Sequence, residues 1–440
     1  MKGMLVIIDG MGDLPNKQIG GMTPLEAAEM LNLDFLATRG EMGYMFPVKP
    51  GFIPESDEAI VSIFGNSLMS STRGQLEAAS TDLKIVRGDL ALRVNFATID
   101  SLKKGNIIDR RAGRTLTTTE AEFLAKDLNN KLKLPVKFIF EPTVQHRGVL
   151  IFRGGFSDNV SGNDATYSQG KSNDLNKIRV CKPLDDEENS QYTVNILNEF
   201  IEKSHEILNK HPINLNRKKR GLLPANYLFL RSPGAEIPKL RQYSKWISPS
   251  YMPLEIGFSK LSGMKVVGFE YPKLKNLDAY GNLWDGLKKE CKFCIKTIKK
   301  YYKKYDYAYI HIKETDLPGH DNKPIEKKEM LEYIDKTFFK FLRGFVPQNK
   351  IKVVVTADHS TPCKLKNHSA DPVPVLFYND SIPKKNPFFS AISRINEKIH
   401  FRENKEQQHK GVKFCEKNAR KGSLGSMMGN ELLERVGFDK

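Results

Sequence analysis

The stretch that decides the fold is residues 4–10, which read MLVIIDG. Its five apolar residues predict a buried strand, and the aspartate–glycine pair predicts a turn at the end of that strand. Two further apolar runs lead to aspartates in the same way: residues 307–312 precede Asp316, and residues 352–355 precede Asp358. In open α/β sheets, ligands bind beyond the carboxyl ends of the strands. The repeated pattern therefore predicts an α/β sheet with acidic side chains along one edge.

Histidines follow two of these aspartates. His320 lies near Asp316, in a segment whose Pro-Gly pair predicts a loop; His359 directly follows Asp358, and His368 lies in the next loop. Turns or helix caps would account for any one of these residues. Together, carboxylate and imidazole side chains beside strands of one sheet predict a site for Mn²⁺, Zn²⁺ or Mg²⁺. With Asp9, the three aspartates and three histidines exceed the ligands of one tetrahedral catalytic ion, so two ions are expected, as in phosphate displacement.

A serine that could act as a nucleophile lies in residues 54–59, which read PESDEA. Ser56 lies three residues before the start of a predicted helix over residues 59–64. It could simply cap that helix, or it could accept a phosphoryl group at the helix N-terminus. A metal ion bound to its hydroxyl would activate it as a nucleophile.

Arginines are concentrated in the middle of the chain. Residues 107–114 read IIDRRAGR, and Arg147 and Arg231 lie on or beside predicted strands. Guanidinium groups bind phosphate and carboxylate through paired hydrogen bonds. A charged surface is the alternative interpretation.

The length of 440 residues favours two domains. Residues 1–75 and 236–440 show β-α alternation, with Thr23 and Pro24 predicting a helix start and residues 325–342 predicting one helix. Residues 76–235 have an α+β pattern. We therefore expect a metal-binding α/β domain, formed by both ends of the chain, with a smaller α+β domain inserted.

The formal charge of +17 allows nucleic acid, acidic lipid or an anionic small molecule as a partner. The basic residues are spread along the chain with few interleaved aromatic residues, which favours a lysine-rich solvated surface over nucleic-acid binding. Five scattered cysteines fit a reducing compartment. No secretory signal or membrane-spanning run is visible, so a soluble cytoplasmic protein is expected.

The whole chain resembles the archaeal-type 2,3-bisphosphoglycerate-independent phosphoglycerate mutases of the alkaline phosphatase superfamily. The resemblance is carried by residues 9–13 (DGMGD), 21–28 (GMTPLEAA), 95–98 (NFAT), 109–114 (DRRAGR), 146–148 (HRG), 311–316 (HIKETD), 356–363 (TADHSTPC) and 421–425 (KGSLG). It implies an alkaline-phosphatase-like, mostly parallel sheet flanked by helices. It also implies interconversion of 3-phosphoglycerate and 2-phosphoglycerate in glycolysis and gluconeogenesis, through a phosphoserine intermediate.

The resemblance also implies roles for individual residues. Ser56 matches the nucleophile. The ligands of one divalent ion match Asp9, Ser56, Asp358 and His359, and those of the other match Asp316, His320 and His368. The inserted domain would hold the small phosphorylated substrate and exclude water, with binding residues Asp109, Arg110, Arg111, Arg114, Arg147 and Arg231, and with Lys239 as a further phosphate contact. Mn²⁺ is the expected ion, with Mg²⁺, Co²⁺ and Zn²⁺ as alternatives.

The chain departs from the family pattern at three places. It reads SDEAI at residues 56–60, GNSL at 65–68 and RSPG at 231–234. Two alternatives therefore stay open. One is another phosphotransferase of the superfamily, such as a phosphatase, a phosphopentomutase-like enzyme or a homoserine-kinase-like enzyme. The other is a basic nucleic-acid-binding protein on a degenerate enzyme scaffold. The sequence does not indicate an oligomeric state.

Overall fold

The computed structural model describes residues 1–68, 73–164, 176–274, 278–379 and 412–439. Two compact units make up the chain. The first comprises Met1–Gly65, Lys245–Pro249 and Leu287–Lys440, and the second comprises Asn66–Ser244 and Ser250–Gly286. Within the described residues, no helix is both long and apolar enough to cross a membrane.

The first unit is built on a mostly parallel sheet. In spatial order its strands are β13 (Gly425–Met428), β2 (Gly40–Phe46), β12 (Val373–Tyr378), β11 (Lys352–Thr356), β1 (Gly3–Ile8), β10 (Tyr307–Ile312) and β8 (Trp246–Ser250). Strand β1 is fully buried and pairs in parallel with both β10 and β11. Strand β12 runs antiparallel to its neighbours β11 and β2. The predicted α/β class is thus confirmed.

The helices of the first unit include one with the predicted start. Thr23 and Glu26 form a reciprocal capping box around Pro24, which satisfies backbone groups that the helix leaves unpaired. The helices that lie wholly or mostly in this unit are α1 (Pro24–Ala27), α2 (Leu31–Ala37), α3 (Ser56–Ile63), α9 (Ala279–Tyr301), α10 (Asp316–His320), α11 (Pro324–Ile334), α12 (Lys340–Gln348), α13 (Glu416–Ala419) and α14 (Leu432–Val436).

The helix predicted over residues 325–342 is present, but its hydrogen-bonding pattern changes in the middle. Helices α11 and α12 are separated by one π-helical stretch, Asp335–Phe339. Asp335 is buried there, and its carboxylate accepts hydrogen bonds from the backbone N–H groups of Asn32 (3.1 Å) and Leu33 (2.8 Å) at the start of α2. The carboxylate thus pairs two N–H groups at a helix start, a long-range contact that local periodicity does not reveal.

The second unit is built on an antiparallel sheet in the order β4 (Ile107–Asp109), β3 (Leu90–Ile99), β6 (Arg147–Phe152) and β5 (Phe138–Pro142), with β7 (Tyr227–Gly234) also paired to β3. Apolar residues on one face of β3 pack into a core with residues of two helices, α5 (Thr118–Lys131) and α6 (Glu188–Lys210). The remaining elements are α4 (Arg73–Ala78), α7 (Pro212–Lys219), α8 (Pro253–Leu261) and β9 (Lys265–Gly268).

The division of the chain differs from the predicted domain bounds. The sequence prediction assigned residues 66–75, 236–244 and 250–286 to the first domain, whereas the structure places them in the second unit. Helix α8 packs on α4 so closely that a Cβ at Gly257 would lie 1.7 Å from the carbonyl oxygen of Leu76. This backbone contact holds α8 to the second unit. The role of this middle segment as an inserted substrate-binding domain stays a prediction.

Candidate active site

Three parallel strands deliver the candidate residues to one edge of the first sheet. The backbone N–H of Asp9 donates to the carbonyl of Ile312 (2.8 Å), and that of Gly10 donates to Oδ1 of Asp358 (3.0 Å). Gly10 has a φ of 60°, and a Cβ there would lie 2.6 Å from Oγ1 of Thr361. The turn after β1 therefore requires glycine.

The first cluster consists of Asp9, Asp358 and His359, all buried, whose candidate ligand atoms lie within 4.8 Å of one another. Nε2 of His359 lies 3.3 Å from Oδ1 of Asp9 and 3.2 Å from Oδ2 of Asp358. Ser56 begins helix α3, and its Oγ lies 3.2 Å from the same Nε2. The structure thus brings all four residues of the first predicted ligand set together.

The second cluster consists of Asp316, His320 and His368, again within 4.8 Å of one another. The prediction of a loop here was wrong, because Asp316–His320 is a single helical turn. The turn places the side chains of Asp316 and His320 on the same face. Pro318 is tolerated because the first turn of a helix leaves its N–H groups unpaired in any case. The ring of His368 stacks on His359 with centroids 3.7 Å apart, so the two clusters are neighbours.

Charge within the first cluster is strongly coupled. Burial raises the pKa of Asp9 to about 7, and the charge of Asp358 adds to the rise. Burial alone would lower the pKa of His359, but the charge of Asp358 outweighs it and raises that pKa to about 9. Despite burial, the charge of His359 holds the pKa of Asp358 well below its usual range. The carboxylates therefore favour a nearby positive charge.

The donor atoms of both clusters fit divalent ions. Oδ1 of Asp9 and Oδ2 of Asp358 accept no hydrogen bond from any residue in the described part of the chain. Nδ1 of His320 lies 3.2 Å from the Lys366 carbonyl, and Nδ1 of His368 lies 2.9 Å from the Pro54 carbonyl. Each ring therefore carries its proton on Nδ1 and turns Nε2 toward Asp316, as metal-binding histidines do.

One residue of this edge was missed by sequence reasoning. Lys313, directly after β10, forms a close ion pair with Asp9, and its charge lowers the pKa that burial and Asp358 raise. Its Nζ also lies 3.4 Å from Nε2 of His311. A lone lysine after a strand carries no distinctive signal, although it stands within the HIKETD segment.

In the second unit, Asp164 brings two predicted arginines together. Nε of Arg110 lies 3.2 Å from Oδ1 of Asp164, and Arg231 forms a close ion pair with Oδ2. Asp109 shapes the turn that carries the other arginines, because its Oδ1 accepts from the N–H groups of Arg111 (2.7 Å) and Gly113 (2.8 Å). Sequence reasoning missed Asp164, since one aspartate in a polar stretch forms no motif.

The strands of this unit align further polar residues. Arg93 and Asn95 on β3 stand opposite Arg231 and Arg147 on its two neighbours. Burial, with the charge of Arg93, lowers the pKa of Arg147 to about 10. His146 is buried, and neither of its ring nitrogens has a hydrogen-bond partner among the described residues. The structure thus adds three residues that the prediction lacked: Arg93, Asn95 and His146.

The remaining predicted binding residues are Arg111, Arg114 and Lys239. Arg114 has a φ of 56° and follows Gly113 in the turn that also carries Arg111. The pKa of the buried His146 is lowered mainly by burial and by the charge of Arg147, and the charges of Arg111 and Arg114 lower it further. Lys239 is exposed in the segment between β7 and β8. Positive charge from Arg111, Arg114 and Arg147 therefore acts on His146, and the anion-binding roles of these residues and of Lys239 stay predictions.

A mostly parallel α/β sheet with a serine and two carboxylate–histidine clusters at its carboxyl edge is an arrangement suited to metal-assisted phosphoryl transfer. Residues 37–214 match the family model described as 2,3-bisphosphoglycerate-independent phosphoglycerate mutase. A protein of that name from Thermococcus kodakarensis is 38% identical over 85% of this chain and 87% of its own length. One from Pyrococcus furiosus is 36% identical over 98% and 95%. The chain therefore belongs to the 2,3-bisphosphoglycerate-independent phosphoglycerate mutase family.

Solved structures agree with this assignment. The PH0037 protein from Pyrococcus horikoshii superposes with a TM-score of 0.70 at 28% identity, covering 99% of this chain and 96% of that one. A cofactor-independent phosphoglycerate mutase from Thermoplasma acidophilum gives a TM-score of 0.55 at 25% identity, covering 99% of both chains. The predicted family is confirmed.

Proposed function

We propose that this protein interconverts 3-phosphoglycerate and 2-phosphoglycerate through a phosphoserine at Ser56. The observation that carries the proposal is the position of Ser56, whose Oγ lies 3.2 Å from Nε2 of His359 at the edge of the first cluster. Family membership over nearly the whole chain supports the same reaction. The fold alone would also fit other phosphotransferases, so the substrate rests on the family.

The chain's own residues suggest how the reaction would run. Ser56 Oγ would form a bond to phosphorus while the bond from phosphorus to the substrate oxygen breaks. The serine would lose its proton, and the departing glycerate oxygen would gain one. The other hydroxyl of glycerate would then attack the phosphoserine, and Ser56 would regain a proton. No external phosphate donor is needed, because the group that leaves the substrate returns to it.

Two divalent ions are proposed, held by Asp9, Ser56, Asp358 and His359, and by Asp316, His320 and His368. Bound ions would lower the pKa of the serine hydroxyl and neutralise charge on the phosphoryl group. Two buried carboxylate oxygens that accept no hydrogen bond from the described residues support this proposal, as do histidines whose Nε2 atoms face the carboxylates. Ligands without thiolate are consistent with Mn²⁺, with Mg²⁺, Co²⁺ and Zn²⁺ as alternatives.

The anionic ends of the substrate are assigned to the second unit. Arg110, Arg111, Arg114, Arg147 and Arg231 supply guanidinium groups that suit carboxylate and phosphate. Asp109 would stabilise the turn that carries Arg110, Arg111 and Arg114. Lys239 would add a further phosphate contact. Support comes from burial of Arg147 and from the pairing of Arg110 and Arg231 with one carboxylate.

The test is an assay coupled to enolase, with 3-phosphoglycerate and Mn²⁺, comparing wild type with Ser56→Ala and Ser62→Ala. Ser62 is the matched control, since it is a buried serine on the same helix. We expect turnover in wild type and Ser62→Ala and none in Ser56→Ala. Absence of turnover in wild type, or turnover that survives Ser56→Ala, would overturn the proposal. Phosphate release without enolase-coupled product would instead indicate a phosphatase.

A further inference from the structure

We infer that Thr361 is a positioning residue whose hydroxyl links the two clusters and sets how each presents its ligands. The inference rests on the metal sites of the proposed function. It gives a role to a residue that is not among the proposed ligands. Thr361 is fully buried and lies two residues after His359. Its Oγ1 lies 3.0 Å from Nδ1 of His359 and 2.7 Å from Oδ1 of Asp316. One hydroxyl therefore touches one ligand of each cluster.

The direction of these two hydrogen bonds follows from the donors available. A hydroxyl has one proton, and an ionised carboxylate can only accept, so Thr361 donates to Asp316. Its oxygen must then accept from Nδ1 of His359. When an ion replaces the second proton of His359, the remaining proton would thereby be fixed on Nδ1, and Nε2 would offer its lone pair to that ion. That lone pair faces the first cluster, where Nε2 lies 3.2 Å from Oδ2 of Asp358.

The same contact orients the second cluster. Asp316 lies on the one-turn helix α10, and the hydroxyl of Thr361 holds its Oδ1. The other oxygen, Oδ2, lies 3.2 Å from Nε2 of His320. The threonine thus restrains rotation of the carboxylate and of the His359 ring together. Partners of this kind commonly tune metal affinity although they do not touch the ion.

The surrounding backbone holds Thr361 in place. Its N–H donates to the carbonyl of Gly12 (2.9 Å), and its carbonyl accepts from Nζ of the buried Lys327 (3.0 Å). A Cβ at Gly319 would lie 2.5 Å from the carbonyl oxygen of Thr361. Four segments of chain therefore meet at this residue. Its hydroxyl is held in position before any ion binds, which is what a positioning role requires.

Removing the hydroxyl should weaken ion binding at both clusters. Valine matches threonine in shape but can neither donate to Asp316 nor accept from His359. We expect Thr361→Val to lower Mn²⁺ affinity by about 10- to 100-fold, the range usual for loss of such a partner. Thr361→Ser keeps the hydroxyl and should restore most of that affinity.

The experiment is calorimetric titration of Mn²⁺ into full-length protein stripped with EDTA, without substrate. The control is Thr98→Val, since Thr98 is a buried threonine of the second unit whose hydroxyl donates to the Pro224 carbonyl (2.6 Å). Melting in EDTA shows whether each variant folds, and Thr361→Ala replaces the valine variant if that one does not. Weak binding by Thr361→Val or Thr361→Ala, with near-normal binding by Thr361→Ser and Thr98→Val, supports the inference.

Three results would overturn the inference. These are wild-type affinity in Thr361→Val or Thr361→Ala, equal weakness in Thr361→Ser, and equal weakness in Thr98→Val. The outcome is separable from that of the proposed function, because ion binding is measured without turnover. Failure of wild type to bind Mn²⁺ would overturn both proposals. Normal ion binding without mutase activity would overturn the substrate assignment alone.

Discussion

Lys327 offers a strong test of how buried charge stabilises the first unit. Its Nζ is fully buried and donates to Oδ2 of Asp13 (2.8 Å), to the Thr361 carbonyl (3.0 Å) and to the Gly12 carbonyl (3.3 Å). The Asp13 side chain is also fully buried. The Lys327→Met substitution would leave the carboxylate of Asp13 with only neutral hydrogen-bond donors, such as the N–H of Cys363 (3.1 Å). Breaking a buried pair in this way costs about 3–5 kcal/mol.

Most of that cost should come from the carboxylate left behind. Asp13→Asn combined with Lys327→Met removes both charges, so the double variant should recover about 2 kcal/mol relative to the sum of the single variants. The control pair is Lys336 with Glu332, a helical pair of the same unit whose lysine side chain is 61% exposed. Lys336→Met should cost only about 0.3–0.5 kcal/mol.

The measurement is urea unfolding of EDTA-treated protein, followed by tryptophan fluorescence. Trp246 is buried in the first unit, so a Trp284→Phe background assigns the signal to that unit. A loss below about 1 kcal/mol for Lys327→Met would refute the reasoning, because it would equal the effect of an exposed pair. Strict additivity in the double variant would show that the two charges do not depend on each other.

Three further predictions concern the turn after β1, a buried carboxyl and the arginine pair. Gly10→Ala should abolish measurable mutase activity, since its Cβ would lie 2.6 Å from the Thr361 hydroxyl; activity above about a tenth of wild type in the enolase-coupled assay would contradict this. Burial raises the pKa of Glu416 to about 7, so its contribution to stability is present below about pH 4.5 and is lost as the pH rises to 7. Glu416→Gln should therefore flatten the pH dependence of urea unfolding by about 3 kcal/mol over that window, and an unchanged profile would contradict it. Asp164→Asn should raise KM for 3-phosphoglycerate with unchanged Mn²⁺ affinity, because Asp164 orients two guanidinium groups of the second unit. A changed Mn²⁺ affinity in that variant would count against the division of roles.

Local patterns predicted much of the first unit. Apolar runs that end in aspartate mark β1, β10 and β11, and these strands do lie side by side. Ligand-type residues next to a strand end need little long-range information, because the strand itself carries them to the edge of the sheet. This explains why the candidate ligands lie at one edge of the sheet. Their division into two sets was implied by the family resemblance, and it agrees with the two clusters that the structure forms. The capping box at Thr23 is a local signal of the same kind.

Contacts between distant segments were not predicted. Arg93 faces Arg231 because β3 pairs with β7 in one register, and a shift of one residue would turn the arginine to the opposite face. The contact of the Asp335 carboxylate with the start of α2 was not predicted either. Asp164 and Lys313 acquire partners only when strands or loops far apart in sequence meet.

The sequence by itself determined the fold class, the strand ends and the identity of the candidate ligands, because each depends on periodicity and on residue type at a strand terminus. Tertiary structure decided which donor faces which acceptor. The one-turn helix at Asp316 and the hydroxyl of Thr361 between the two clusters are the clearest examples. Their roles depend on atoms from several segments meeting within hydrogen-bond distance, and chain order alone does not encode that distance.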